Sequence, residues 1–243
     1  MNLIVDVGNT FMKLAVFQRQ KLMFESRIEE KNFLKEITKI FKKYPDISHA
    51  IVSSVSKCPE EDIKALSVFC KVHLLTNNSI VPFQSKYTTP KTLGMDRVAL
   101  VTAAFYNHTS DNTLIIDAGT CITYDFINED SEYLGGAISP GIQMRFKALN
   151  EFTARLPLIE TSESVSLIGN STESSIASGV LNGVAMEIDG IIDEYQKKFK
   201  DLTVILTGGD SHFLSKRLKN TIFANPKILL EGLNYILELN KDE

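Results

Sequence analysis

The stretch Leu3-Ile4-Val5-Asp6-Val7-Gly8-Asn9-Thr10 decides the fold of this 243-residue chain. Its apolar run predicts a buried strand from Met1 to Val7, and the glycine and asparagine that follow predict a turn. Further strands are predicted over Phe11 to Phe17 and over Lys21 to Arg27. The chain therefore opens on a meander of three strands whose first turn carries polar side chains.

The same arrangement begins again about 110 residues later, which is about the length of one small domain. A predicted strand over Thr113 to Ile116 ends in Asp117-Ala118-Gly119-Thr120, and two more strands follow, Ile122 to Ile127 and Glu132 to Ala137. The repeat predicts an α/β fold of two tandem domains, residues 1–111 and residues 112–243, each with a mixed sheet flanked by helices. The boundary is a polar segment at residues 107–112.

Apolar residues at helical spacing predict the helices that follow each meander. They are Asn32 to Tyr44 with Asn32 as its cap, Glu60 to Cys70, Asp96 to Tyr106, Gly141 to Asn150, Glu173 to Lys198, a helix from Ser211, and Lys227 to Leu239. Short strands are predicted over His49 to Val55, Lys71 to Leu75 and Val204 to Leu206. Glycine-rich turns are predicted over Gly135 to Gly141 and over Thr207 to Asp210, and residues 76–93 are predicted to be mainly loop.

The two acidic turns suggest phosphate binding. A carboxylate at the end of a buried strand, such as Asp6, costs free energy unless it is paired or binds a cation. Gly8 allows a phosphate to approach the backbone, and successive turn amides can form an anion-binding nest. The alternative is an ordinary hairpin turn with a surface aspartate, and Lys13 is equally a phosphate ligand or a solvated side chain at a strand edge. Because the second turn repeats the carboxylate, the glycine and the hydroxyl, we favour a phosphate clamp with carboxylates for Mg²⁺.

A second candidate for chemistry is the sequence Gly94-Met95-Asp96-Arg97 at a predicted helix start. Asp96 is interpreted as a group that accepts a hydroxyl proton, while Arg97 keeps it ionised or holds an anionic substrate. The alternative is a helix N-cap with a surface ion pair. Cys121, beside the second turn, is more readily explained as core packing than as a nucleophile, since no histidine is near it in sequence.

Composition excludes several other classes of protein. The net charge is −4, with 26 basic and 30 acidic residues, which argues against nucleic-acid binding. Three separated cysteines without zinc-site spacing fit a reduced compartment. No stretch predicts a signal peptide or a membrane span, so we expect a cytoplasmic protein.

The ordered set D-V-G-N-T, G-M-D-R, D-A-G-T, G-G-A-I-S-P-G and T-G-G-D resembles the type III pantothenate kinases, a family of the actin-like ATPase and sugar-kinase superfamily. The resemblance covers nearly the whole chain. It implies two ribonuclease-H-like domains that hold ATP in a cleft, phosphorylation of pantothenate to 4′-phosphopantothenate as the entry to coenzyme A synthesis, and a homodimer. The implied cofactors are ATP, Mg²⁺ and a monovalent cation, K⁺ or NH₄⁺.

The resemblance also assigns roles to individual residues. Asp96 would be the base and Asp117 would hold the monovalent cation. The paired acidic turns, rather than the resemblance, suggest that Asp6 binds Mg²⁺. The residues implied for ATP are Asp6, Val7, Gly8, Asn9, Thr10, Phe11, Met12, Lys13 and Thr120. Those implied for pantothenate are Tyr87, Gly94, Met95, Asp96, Arg97 and Thr172, with Thr172 reaching the partner's site. Ser171 stands where the family commonly has asparagine, and the apolar run Ile188, Ile191 and Ile192 is either interface or core.

Two other functions remain open at this stage. The superfamily also phosphorylates sugars and acids, so the acceptor could be another small hydroxyl metabolite. Relatives of the family have been described as transcriptional accessory factors, which suggests a nucleotide-binding regulator without turnover. The intact carboxylates at Asp6, Asp96 and Asp117 argue against the regulator.

Overall fold

A computed structural model describes residues 1–8, 11–54, 59–161 and 165–241 of the chain. The strands are β1 (Asn2–Val7), β2 (Met12–Gln18), β3 (Lys21–Ile28), β4 (His49–Ser54), β5 (Lys71–Leu74), β6 (Gln84–Ser85), β7 (Thr113–Ala118), β8 (Cys121–Ile127), β9 (Glu132–Pro140), β10 (Thr203–Thr207) and β11 (Phe223–Ala224). The helices are α1 (Phe33–Lys43), α2 (Glu60–Ser67), α3 (Met95–Asn107), α4 (Ile142–Glu151), α5 (Thr172–Ala177), α6 (Gly183–Lys198), α7 (Ser211–Ser215) and α8 (Ile228–Leu239).

The chain divides into two compact units. Unit 1 comprises Met1–Asn107 and Lys227–Glu243, and unit 2 comprises His108–Pro226. The last helix, α8, therefore belongs to unit 1, because its buried apolar residues pack against α3, β1 and β4. The predicted ribonuclease-H-like domains with a boundary at residue 111 stay a prediction, since compact units need not coincide with sequence repeats.

Unit 1 contains a mixed sheet in the order β3-β2-β1-β4-β5. The pairs β1/β2 and β2/β3 are antiparallel, whereas β1/β4 and β4/β5 are parallel. One face of the sheet is covered by α1, which buries Phe33, Ile37 and Ile40 in the same core as Leu3 and Val5. Each such side chain contributes about 1.5–3 kcal/mol when it is fully buried. Asn32 precedes α1, but its side chain makes no capping hydrogen bond, so the predicted cap is wrong.

Unit 2 repeats this topology. Its strands follow the order β9-β8-β7-β10-β11, with antiparallel β7/β8 and β8/β9 and parallel β7/β10 and β10/β11. The predicted fold class, α/β with two mixed sheets flanked by helices, is confirmed. The predicted glycine-rich turn over Gly135 to Gly141 is wrong, because Gly135 to Pro140 continue β9 and only Gly141 lies at the start of a helix.

The core of unit 2 is built around one continuous helix, Thr172–Lys198. Its middle, Ser178–Asn182, is a π-helical turn that joins α5 to α6. Ile188 and Ile192 are fully buried and Ile191 packs beside them, so this apolar run forms core. By length and composition this helix could cross a membrane, but 56% of its most apolar window is buried inside the protein, as expected of a core helix.

Candidate active site

Asp6 lies one residue before the end of β1 as a buried carboxylate, with only 7% of its surface exposed. It pairs across the sheet with Lys13, whose Nζ lies 4.0 Å from Asp6 Oδ2. Burial raises the pKa of Asp6 to about 6; Lys13 opposes this rise and the nearby charge of Asp96 adds to it. Because β2 is flanked by β1 and β3, Lys13 does not lie on an edge strand. Asp6 and Lys13 therefore hold their opposite charges side by side on neighbouring strands of unit 1.

The turn after Asp6 is closed by one backbone hydrogen bond. The Gly8 N–H donates to the Phe11 carbonyl at 3.1 Å. Val7 and Met12, on either side, are buried in the core, so only their backbone groups face the turn. Phe11 lies under the guanidinium of Arg27, with the Arg27 Cζ 4.0 Å from the ring centroid. The predicted ligands Asn9 and Thr10 lie outside the described residues.

Asp96 lies in the first turn of α3. The helix begins at Met95, and the Val98 N–H donates to the Gly94 carbonyl. Asp96 is thus the second helical residue and not the N-cap, although its Oδ1 accepts a hydrogen bond from the Arg97 N–H at 2.8 Å. Its carboxylate folds back over Gly94, where a Cβ would stand 2.4 Å from Oδ1. Glycine at this position therefore allows the observed orientation of Asp96.

Arg97 and Tyr87 lie together in unit 1. The Arg97 side chain is buried, with 5% exposed. Its Cζ lies 5.5 Å from the centroid of the half-buried Tyr87 ring, within reach of a cation–π interaction. The structure thus brings a buried cation and an aromatic ring from separate segments to one place.

Three glycine-containing segments meet at the second acidic turn, in unit 2. The Gly119 N–H donates to the Cys121 carbonyl at 3.0 Å, and the Asp210 N–H donates to the Ala118 carbonyl at 2.9 Å. Gly208 has a positive φ of +94°, and a Cβ there would lie 2.5 Å from Asp117 Oδ1. The turn at Gly208 therefore packs directly against the Asp117 carboxylate.

The third segment is Gly141, which sequence reasoning did not place in a site. Its N–H donates to the Thr120 carbonyl at 3.1 Å, and a Cβ on it would lie 2.2 Å from the Gly119 carbonyl oxygen. Burial raises the pKa of the Asp210 carboxyl beside this turn. The sequence could have indicated Gly141 because it is a glycine between a strand and a helix, which is the same feature that drew attention to Gly208.

Thr172 is exposed and is the first residue of α5. The preceding Ser171 caps the helix, because its side chain accepts a hydrogen bond from the Ser174 N–H at 3.1 Å. Serine and asparagine are both strong N-caps, so the exchange noted in the sequence preserves the helix start. Among the described residues, no three histidine, cysteine, aspartate or glutamate side chains cluster as a metal site would require.

Comparison with known proteins identifies the family of the chain. A sequence model of the family described as type III pantothenate kinase matches residues 2–194. The chain is 52% identical to the type III pantothenate kinase of Christiangramia forsetii over 243 residues, which is 100% of both chains. It is 49% identical to that of Flavobacterium johnsoniae, covering 100% of this chain and 99% of the relative.

Solved structures show the fold alone, since their identities are low. A Campylobacter jejuni protein assigned to the Baf family of transcriptional activators superposes with a TM-score of 0.67 at 23% identity, covering 99% of this chain and 100% of the other. A Listeria monocytogenes protein described as an N-acetylmannosamine kinase gives 0.53 at 14% identity, covering 100% and 99%. The fold is that of the actin-like ATPases and sugar kinases, and the matched sequence model and full-length identities place the chain in the type III pantothenate kinase family.

Proposed function

We propose that this chain, a phosphotransferase by family, transfers the γ-phosphoryl group of ATP to the 4′-hydroxyl of pantothenate. The products are ADP and 4′-phosphopantothenate, and the reaction opens coenzyme A biosynthesis. The observation that supports these roles most strongly is in unit 1. There Asp6 from β1 and Asp96 from α3 interact through their charges, with Lys13 beside Asp6.

Asp96 is the proposed base. One of its oxygens is engaged by the Arg97 N–H, which fixes the orientation of the carboxylate. The other oxygen accepts the proton of the 4′-hydroxyl as the hydroxyl oxygen forms its bond to phosphorus and the bond to ADP breaks. Because phosphoryl transfer has a loose transition state, Asp96 orients the hydroxyl at least as much as it deprotonates it.

Arg97 and Tyr87 are the proposed holders of pantothenate. Pantothenate carries a carboxylate, and a buried guanidinium binds a carboxylate through charge-assisted hydrogen bonds. The Tyr87 ring, 5.5 Å from the guanidinium carbon, limits the positions that Arg97 can take. Gly94 and Met95 contribute the adjacent backbone at the start of α3.

The phosphates of ATP are assigned to the two acidic turns. In unit 1 the segment from Asp6 to Lys13 is assigned to the phosphates, with the Lys13 ammonium as a charged donor, and in unit 2 Thr120 is a further candidate. A buried carboxylate with a raised pKa, as Asp6 has, fits a cation ligand. Mg²⁺ commonly uses one or two carboxylates together with substrate phosphates, so no larger cluster is needed. When bound, Mg²⁺ would neutralise and orient the phosphates.

A monovalent cation, K⁺ or NH₄⁺, is assigned to Asp117. This carboxylate is half-buried and packed against the Gly208 turn, where an anionic phosphate would repel it. A cation that binds both groups removes the repulsion.

We also propose a homodimer in which Thr172 completes the partner's substrate site. Unit 2 has several exposed apolar side chains, at Phe152, Leu158, Leu167 and Ile168. Leu158 and Ile168 line a groove of about 510 Å³ that Glu173, next to Thr172, also lines. Exposed apolar patches of this kind commonly mark protein interfaces.

The deciding experiment is a kinase assay on Asp96→Asn with pantothenate as acceptor. Asparagine keeps the shape and the acceptor for the Arg97 N–H but removes the basicity. A general base contributes about 10² to 10⁴ in rate, so we expect kcat to fall by about 10² or more with ATP binding unchanged. A wild-type turnover number in this variant would leave the reaction without its proposed base.

The same assay separates the alternatives. A panel of hydroxyl acceptors distinguishes pantothenate from another small metabolite as the substrate. ATP binding without any turnover would instead support a nucleotide-binding regulator, the alternative suggested by the structural likeness to a Baf family protein. We expect pantothenate to be the preferred acceptor and the protein to act in the cytoplasm.

A further inference from the structure

The C-terminal helix α8 packs against α3, which carries the proposed base Asp96, and against β1, which carries Asp6. We infer that α8 is a positioning element for the proposed base, and that Gly232 sets the distance between α8 and α3. The inference rests on the proposed function of Asp96.

The contact between α8 and α3 is unusually close at one point. A Cβ on Gly232 would lie 1.9 Å from the Ala99 carbonyl oxygen and 2.6 Å from its carbonyl carbon. Both atoms are backbone, so no side-chain rotation can make room. Ala99 is one residue past the first turn that carries Asp96 and Arg97, and it is fully buried. The position of that first turn is thus fixed by the absence of a side chain at Gly232.

The far end of α3 is fixed to the same helix. The Tyr235 ring stacks on Tyr106 with centroids 4.4 Å apart, and its hydroxyl donates to Asn107 Oδ1 at 3.1 Å. The two helices are therefore held at both ends of α3, which prevents α3 from pivoting about the contact at Gly232.

Polar side chains attach α8 to the two other candidate segments. Asn2, four residues before Asp6 in β1, donates to Asn234 Oδ1 at 2.7 Å. Asn240 accepts a hydrogen bond from the Ile80 N–H at 2.8 Å and donates to the Ile80 carbonyl at 3.0 Å. Asn240 thereby pairs with the backbone of the segment that leads to Tyr87. Helix α8 and its C-cap residue Asn240 thus contact β1, α3 and this segment together.

The test is Gly232→Ala. An ordinary contact needs about 3.4 Å instead of 1.9 Å, so α3 must move by about 1.5 Å. A misplacement of about 1 Å can cost about 10²-fold in rate. We expect kcat to fall by about that factor, while the KM for ATP stays unchanged. A purely structural role would lower the melting temperature and leave kcat of the folded enzyme at the wild-type value, which would overturn the inference.

The matched control is Gly190→Ala, in the interior of α6, where nothing lies within 4 Å of the added methyl group. It should keep kcat and raise stability slightly, because alanine is a better helix former. If Gly232→Ala does not fold, Tyr235→Phe replaces it. This variant keeps the ring stack, loses one hydrogen bond, and should lower kcat by about twofold to fivefold. Wild-type kcat and KM values in Tyr235→Phe would then refute the inference.

Asp96→Asn is measured in parallel to separate the two ideas. If Asp96→Asn keeps full turnover, the proposed base is wrong whatever Gly232→Ala does. If Asp96→Asn is inactive while folded Gly232→Ala turns over normally, only the role of α8 is wrong.

Discussion

Replacing Asp6 with asparagine should make the free protein more stable and nearly inactive. The pKa of Asp6 rises from 3.8 to about 6 in the folded protein, chiefly because the carboxyl is buried. The difference of about 2.2, at about 1.4 kcal/mol for each unit of pKa, corresponds to about 3 kcal/mol. Since the folded pKa is the higher one, ionisation of Asp6 favours the unfolded chain. The loss of folding stability caused by this ionisation is nearly absent below pH 3.8, grows between pH 3.8 and about 6, and reaches its full value above that range.

The Asp6→Asn variant removes this charge and keeps the shape of the side chain. We expect its free energy of unfolding to exceed that of the wild type by about 3 kcal/mol at pH 8 and by only about 0.5 kcal/mol at pH 4. Urea unfolding at several pH values measures both numbers. Asp46→Asn is the matched control, because Asp46 is exposed in the same unit and should change stability by less than about 0.5 kcal/mol.

The same variant should lose most of its kinase turnover, since it lacks the carboxylate proposed to bind Mg²⁺. Mg²⁺ with ATP should raise the melting temperature of the wild type more than that of the variant, because ligand binding stabilises only the state that binds it. Stability curves of wild type and variant that run parallel from pH 4 to pH 8 would refute the buried-charge argument. Near-normal turnover would refute the role of Asp6 at the phosphates.

Three further predictions test other parts of the proposal. Replacing K⁺ by a bulky organic cation should sharply reduce activity, and Asp117→Asn should abolish the response to K⁺; full activity without K⁺ would assign Asp117 to another role. Ile168→Asp, at a side chain that is 83% exposed, should give a monomer in sedimentation and low activity in the kinase assay. The control Val68→Asp, at a side chain that is 82% exposed on unit 1, should leave the dimer intact. A fully active Ile168→Asp monomer would contradict the proposed interface. Gly208→Ala should lower the free energy of unfolding by more than about 1 kcal/mol, because φ is +94° and the added Cβ meets the Ala118 carbonyl. It should also weaken ATP binding, and a normal ATP affinity would exclude this turn from the nucleotide site.

Local patterns along the chain predicted the elements of the fold well. The first strand ends at Val7 as expected, and the helix predicted over Asn32 to Tyr44 is observed over Phe33–Lys43. These elements have strong periodicity, because one face is buried and the other is in water. The predicted turn over Gly135 to Gly141 was wrong. Two adjacent glycines are common in turns, but here Gly136 serves a strand: a side chain at this position would clash with the Tyr124 carbonyl of the neighbouring strand.

The candidate residues were predicted as motifs, and their proximity was not. The sequence gives no distance between Asp6 and Asp96, and no local pattern indicates that Arg97 lies over the Tyr87 ring. The π-helical turn at Ser178–Asn182 was likewise missed, because nothing in its sequence distinguishes a π-helical turn from the α-helix that was predicted over Glu173 to Lys198. Within this turn the Ser178 hydroxyl donates to the Leu167 carbonyl at 2.6 Å, a tertiary contact that no local pattern predicts.

The C-terminal helix illustrates why such contacts escape sequence reasoning. The apolar pattern of α8 predicts that it is buried, but burial alone does not say which elements cover it. A glycine in the middle of a helix costs about 1 kcal/mol relative to alanine, so Gly232 would look like a weak point in the sequence alone. In the structure the missing methyl group allows α8 to reach the backbone of α3, and the free energy lost in helix propensity is offset by close packing at Ala99. A residue that is unfavourable locally and required by a distant backbone is therefore better evidence of a positioning role than any motif in the chain.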